Sequence, residues 1–177
     1  MNKKLRLLVT TDCPNKCPMC CNNQFDFSKL PVVDRWNYDE IMITGGEPLL
    51  FTDTLVEVLI SIKELSSLTG NHPKLFVYTA DCTNKIIKVL PHVDGIVLTP
   101  HKQSNIVHFI ELNKFILVHK TQFYIRDTSL RLNLFPDMKA LLPKDIDLSL
   151  WKVKDMEWLE NCPVPEGEDF RRIANLW

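Results

Sequence analysis

An α/β fold built on a parallel sheet is the class this sequence predicts, and three observations carry it. Short apolar runs of strand character alternate with segments whose apolar residues recur every 3.6 positions, the mark of strands joined by helical crossovers. A length of 177 residues with 45% hydrophobic content suits one domain with an ample core. Residues suited to chemistry gather directly after the strand-like runs, at the end where parallel sheets hold ligands.

The first four strands are predicted over Leu5 to Thr11, Glu40 to Thr44, Leu75 to Thr79 and Gly95 to Thr99, each a short apolar or β-branched run. Between the first two, Asn23 to Tyr38 carries Pro31 and little periodicity, leaving scant room for a regular helix. From Asp53 to Leu68 the stripe Leu55, Val58, Leu59, Ile62 and Leu65 predicts a helix, capped by Thr52 or Asp53 and stopped at Gly70. Thr83 to Val93 repeats the pattern through Ile86, Val89 and Leu90, and Ser104 to Leu112 through Ile106, Phe109 and Ile110.

After Asn113 the pattern weakens. Phe115 to Val118 reads as a strand or as the end of the preceding helix, Phe123 to Arg126 as a strand, and Ile146 to Val153 as another. Residues 1–177 are expected to form a single domain with its core over about 1–153. The stretch 154–177 is expected to be a C-terminal tail or cap, a short helix plus a tail covering one barrel end.

Composition excludes several functions. A net charge of −1 encodes no general attraction to nucleic acid or anionic membrane, and 24% charged residues is ordinary for a soluble protein. The apolar run Leu7-Leu8-Val9 behind Lys3, Lys4 and Arg6 is too short for a signal peptide, and no window can span a bilayer, so a cytoplasmic protein is expected. In a reducing compartment six cysteines are ligands or buried thiols rather than disulfides. Cys82 and Cys162 stand alone and Cys21 only neighbours a cluster, so all three are read as structural thiols.

That cluster is Cys13, Cys17 and Cys20, a C-x3-C-x2-C triplet just after the first strand. A cubane iron-sulfur cluster takes one thiolate per iron, so three thiolates leave one iron open to a ligand. Zinc prefers four closed ligands, and Cys21 beside Cys20 is badly placed to complete a tetrahedron. After the second strand comes Gly45-Gly46-Glu47-Pro48, in the string Thr-Gly-Gly-Glu-Pro-Leu. Its glycines permit close backbone approach or positive φ, Glu47 offers a carboxylate to a cationic group, and Pro48 stiffens the exit.

Together the two motifs resemble the radical S-adenosylmethionine (radical SAM) superfamily. The resemblance implies a partial (β/α)6 barrel, short and open on one side. It implies a [4Fe-4S] cluster on Cys13, Cys17 and Cys20, with S-adenosyl-L-methionine (SAM) chelating the open iron and Gly45 to Pro48 contacting its amino group. The implied enzyme is an oxidoreductase or lyase: an electron from a reductant such as flavodoxin or ferredoxin cleaves SAM to methionine and a 5'-deoxyadenosyl radical, which takes hydrogen from a small-molecule or protein substrate.

Further site residues follow from strand ends and from the resemblance. Met19 stands where the family commonly has an aromatic residue beside the cluster or adenine, and its thioether can fill that space. Thr79 and Asp81 follow the third strand, where the family presents small polar groups to SAM, although Asp81 is equally a helix cap. Thr99-Pro100-His101-Lys102 follows the fourth, where the family places a hydroxyl for the ribose and a cation for the SAM carboxylate. Thr99 with His101 or Lys102 meets both needs, His101 is alternatively a proton donor, and a solvated polar turn is the plain alternative.

Two small subfamilies compare. Glycyl-radical-enzyme activating proteins share C-x-x-C-x-N, present as Cys17 to Asn22, but often carry Asp-x-Lys where this chain has Thr99-Pro100-His101. The 7-carboxy-7-deazaguanine synthases have Ser-Pro-Lys there, a loose match, but Asp-Thr where this chain has Cys21-Asn22. Outside enzymes, the competing readings are an iron-sulfur electron carrier, which would need a fourth cysteine, and a zinc-stabilised binding module.

Overall fold

A computed structural model of the chain describes residues 3–17, 20, 23, 25–121, 127–158 and 164–177. Seven strands form one sheet: β1 (Lys4–Thr10), β2 (Glu40–Gly45), β3 (Lys74–Thr79), β4 (Gly95–Leu98), β5 (Ser129–Leu134), β6 (Lys152–Asp155) and β7 (Glu168–Arg172). Every pairing is parallel, in the order β6-β5-β4-β3-β2-β1-β7. Among the described residues, the helices with settled bounds are α1 (Thr52–Leu68), α2 (Lys85–Val89), α3 (Gln103–Val118) and α4 (Pro136–Lys139).

The α/β class and parallel sheet agree with the sequence. The expected (β/α)6 arrangement does not hold: there are seven parallel strands, and the last pairs with β1, which leaves β6 and β7 at the two edges. Within the stretch expected as a tail or cap, residues 168–172 form the strand β7. Three of its charged residues are paired. Arg6 bridges Glu168 at 2.7 Å, Tyr38 donates to Asp169 at 2.6 Å, and Arg171 bridges both Asp169 and Asp34 at 2.8 Å. On the outer side of β7, Arg172 N donates to Pro31 O and Val33 N to Arg172 O, so the stretch after Pro31 covers the edge.

Alternation along the strands builds the core. Leu5, Leu7 and Val9, Ile41 and Ile43, Leu75 and Val77, Ile96 and Leu98, and Leu130, Leu132 and Leu134 are all buried in one cluster. The same cluster contains Leu55, Leu59 and Ile62 of α1 and Ile106, Phe109, Leu112 and Ile116 of α3. Intervening positions carry Arg6, Met42, Phe76, Tyr78 and Arg131, with the Arg131 guanidinium 4.5 Å from the Phe76 ring centre.

Several expected boundaries move. Phe115 to Val118 finishes α3, which extends well past Leu112. The predicted helix over Thr83 to Val93 is the short α2 followed by a 3-10 turn at Leu90–His92, because Pro91 has no amide to continue the ladder. The strand expected over Ile146 to Val153 starts only at Lys152, after a turn in which Trp151 N donates to Leu148 O. β5 was not anticipated, and the strand expected at Phe123 to Arg126 lies outside the described residues. Between β1 and β2 the described residues form no helix beyond a 3-10 turn at Phe27–Lys29, in line with the sequence. Among the described residues no helix is long and apolar enough to cross a membrane.

Candidate functional site at the carboxyl ends of β1 to β5

The loop leaving β1 is held by backbone contacts with the loop leaving β2. Gly46 N donates to Thr10 O at 2.8 Å, and Glu47 N donates to Asp12 O at 2.7 Å. These bonds bring the two loops so close that neither glycine has space for a side chain. A Cβ on Gly45, whose φ is +151°, would lie 2.3 Å from Thr10 O, and one on Gly46 would lie 2.1 Å from Asp12 O. The glycines therefore seat the cysteine loop. The end of β1 is fixed from another side too: the Thr10 hydroxyl bonds Trp177 O, and Trp177 N donates to Val9 O at 3.2 Å.

Cys13, Cys17 and Cys20 are free, half-buried thiols in that loop. Burial, foremost, pushes the Cys17 thiol up to about 11, and the neighbouring Cys20 and Cys13 add to the rise. Burial also raises Cys13, opposed by the Asn15 amide that donates to its sulfur at 3.4 Å. Lys102 acts on both sulfurs in the opposite sense, favouring the thiolates. Among the described residues, no group of three or more His, Cys, Asp or Glu side chains converges as a site for a single metal ion.

Glu47 has a different place from the one its motif suggested. It is 1% exposed, and its carboxylate accepts from the Leu49 amide at 3.1 Å, the Thr79 hydroxyl, the Ala80 amide at 2.9 Å and the Asp81 amide at 3.1 Å. Four donors use the acceptor capacity of a carboxylate, so Glu47 ties β2 to β3 and does not present a charge to a ligand. Thr79 is engaged with it. Asp81 accepts from Thr83 N at 2.9 Å and pairs with Lys85 at 3.5 Å, the role of a turn residue. Pro48 is buried at the head of a 3-10 turn, Pro48–Phe51, leaving Thr44, Gly45 and Gly46 as the half-exposed part of the motif.

Past β4, Thr99 N donates to Thr79 O at 2.9 Å, and the Thr99 hydroxyl accepts from Asn133 Nδ2 at 3.2 Å. His101 turns toward the cysteine loop, with Nδ1 3.0 Å from Cys17 Sγ. Its ring sits against Phe135, at 5.7 Å between centres, and Trp158, at 5.4 Å; those two rings stack in parallel at 4.0 Å. The Asn105 side chain accepts from both the His101 and Lys102 amides at 3.2 Å, fixing the turn. Burial lowers the His101 pKa, which favours the neutral ring.

The structure thus brings Cys13, Cys17, Cys20, Gly45, Gly46, His101 and Lys102 together, and gives Glu47, Pro48 and Thr79 to the scaffold beneath them. Met19, Cys21 and Cys162 lie outside the described residues. Asn133, Phe135 and the contact of Trp158 with His101 were not foreseen, because positions so far apart in sequence share no local spacing. Cys82 is fully buried with its thiol on Ala80 O at 3.5 Å, a structural thiol as expected. No protein-family model matches this chain, and no curated protein matches it.

Proposed function

We propose that this chain is a radical SAM enzyme, holding a [4Fe-4S] cluster through Cys13, Cys17 and Cys20. What carries the reading is the seating of a three-thiol loop on Gly45-Gly46: the two motifs that suggest the chemistry are bonded to each other through Thr10 O and Asp12 O. The donor set fits in kind, with three soft sulfur ligands on one loop, and Lys102 partly offsets the burial that raises the Cys13 and Cys17 thiols. When bound, the cluster and SAM supply a one-electron cleavage that yields methionine and a 5'-deoxyadenosyl radical, with electrons from a flavodoxin or ferredoxin in a reducing cytoplasm.

The chain's own residues orient and shelter that chemistry. The half-exposed backbone of Thr44 to Gly46 is the part of the motif left to meet the SAM amino group, since the Glu47 carboxylate is enclosed. Lys102 offers a positive charge to the SAM carboxylate and Thr99 a hydroxyl to the ribose, and the family pattern assigns Met19 to the cluster or the adenine. Phe135 and Trp158 stack into an apolar wall by His101. The substrate is a small molecule or a protein that surrenders a hydrogen atom.

One observation favours a second reading. His101 beside Cys17 would complete a Cys3His set for structural zinc. Anaerobic reconstitution with iron and sulfide, then dithionite and SAM, separates the two. The radical SAM reading predicts a brown protein that releases 5'-deoxyadenosine, with both properties lost in Cys17→Ala. Tightly held zinc with no SAM cleavage contradicts it.

A further inference from the structure

We infer that His101 tunes the reduction potential of the cluster, donating an Nδ1–H to the sulfur of Cys17. The inference rests on the cluster reading above and adds a role for a residue that otherwise serves as a cation or proton donor there.

Geometry carries it. Nδ1 of the imidazole lies 3.0 Å from the sulfur of Cys17. Phe135 and Trp158 pack on the ring, and the Asn105 bond to the His101 amide fixes the backbone below it. A side chain held on that many sides loses little further entropy in keeping one hydrogen bond.

The chemistry of the sulfur then sets the direction of the bond. Either atom of the contact between Cys17 Sγ and His101 Nδ1 can carry the shared hydrogen. As an iron ligand Cys17 is a thiolate with no proton, the released proton having gone to solvent. The contact then persists only with a hydrogen on Nδ1, so the ring becomes the donor. An N–H dipole aimed at a ligand sulfur stabilises the more negative, reduced cluster. Its removal makes the cluster harder to reduce.

The test is a redox titration followed by electron paramagnetic resonance, on the full chain reconstituted anaerobically. Wild type is compared with His101→Phe and His101→Asn, after iron and sulfide analysis shows equal loading. His101→Phe should move the midpoint to a more negative potential. His101→Asn, whose amide N–H reaches nearly the same point, should bring it back toward wild type. A wild-type midpoint in His101→Phe overturns the inference, and so does a shift that Asn fails to reverse, which would trace to packing.

A second measurement needs no substitution. Wild type grown on 15N-histidine should show one weakly coupled nitrogen in the pulsed spectrum of the reduced cluster. An absent coupling, or the strong coupling of a nitrogen bound directly to iron, overturns the inference. If wild type binds no iron-sulfur cluster at all, the proposed function fails first.

Discussion

The Glu47 carboxylate at the end of β2 closes on the Thr79 hydroxyl at the end of β3 and takes the two following amides with its other oxygen. This bond set locks two strand ends beneath the cysteine loop and explains why a charged residue is buried there.

Burial, more than any other cause, raises the Glu47 pKa above its ordinary 4.5, with the Thr79, Leu49 and Ala80 hydrogen bonds opposing. The folded protein therefore binds this proton more tightly than the unfolded chain. Its stabilising contribution is complete below pH 4.5, declines as pH rises through the raised value and is flat above it. Glu47→Gln puts an NH2 against backbone donors at a cost of about 1–3 kcal/mol. In urea denaturation across pH, the gap between wild type and variant should narrow as pH rises; a widening gap refutes this account.

Gly46→Ala sets a methyl group 2.1 Å from the Asp12 carbonyl, where only backbone can yield. The cysteine loop must shift, so we expect about 1–3 kcal/mol of destabilisation and a clear loss of reconstituted iron. Gly70→Ala is the control: at φ +70° with no atom within 4 Å, it costs about 1–2 kcal/mol and leaves iron unchanged. Full iron loading in Gly46→Ala would show that the two loops are not coupled.

Cysteine substitutions should separate by position. Cys82→Ala removes one fully buried sulfur far from solvent, costs about 1 kcal/mol and keeps the iron. Cys13→Ala, Cys17→Ala and Cys20→Ala each lose it. Iron analysis and visible absorbance decide the matter, and iron loss in Cys82→Ala would place a ligand where none is assigned.

Trp151 Nε1 donates to the buried Asn113 side chain at 2.8 Å, joining α3 to the segment before β6. Trp151→Phe keeps a ring against Phe109 but strands the Asn113 oxygen, for about 1–3 kcal/mol in chemical denaturation. A change under about 0.5 kcal/mol, the level of an ordinary surface substitution, contradicts the assignment.

Strands β1 to β4 were legible because central parallel strands are buried on both faces and read as continuous apolar runs. β5, Ser-Leu-Arg-Leu-Asn-Leu, is buried on alternate residues only. A search for apolar runs passed over it, although its strict alternation was the available signal. β7, Glu-Asp-Phe-Arg-Arg, carries no such pattern. It becomes a strand because Arg6, Tyr38 and Asp34 satisfy Glu168, Asp169 and Arg171 in three dimensions. At the site, the cysteines and glycines were visible as local spacing. The enclosure of Glu47 and the approach of His101 to Cys17 depend on loops from different strands, which spacing does not encode.

The most direct measurement of the central claim is the electron paramagnetic resonance spectrum of the dithionite-reduced, reconstituted protein with and without SAM. An iron left open by Cys13, Cys17 and Cys20 predicts a cubane signal whose shape changes when SAM binds. A signal that ignores SAM, or a protein that takes up zinc and gives no cluster signal, would contradict the account.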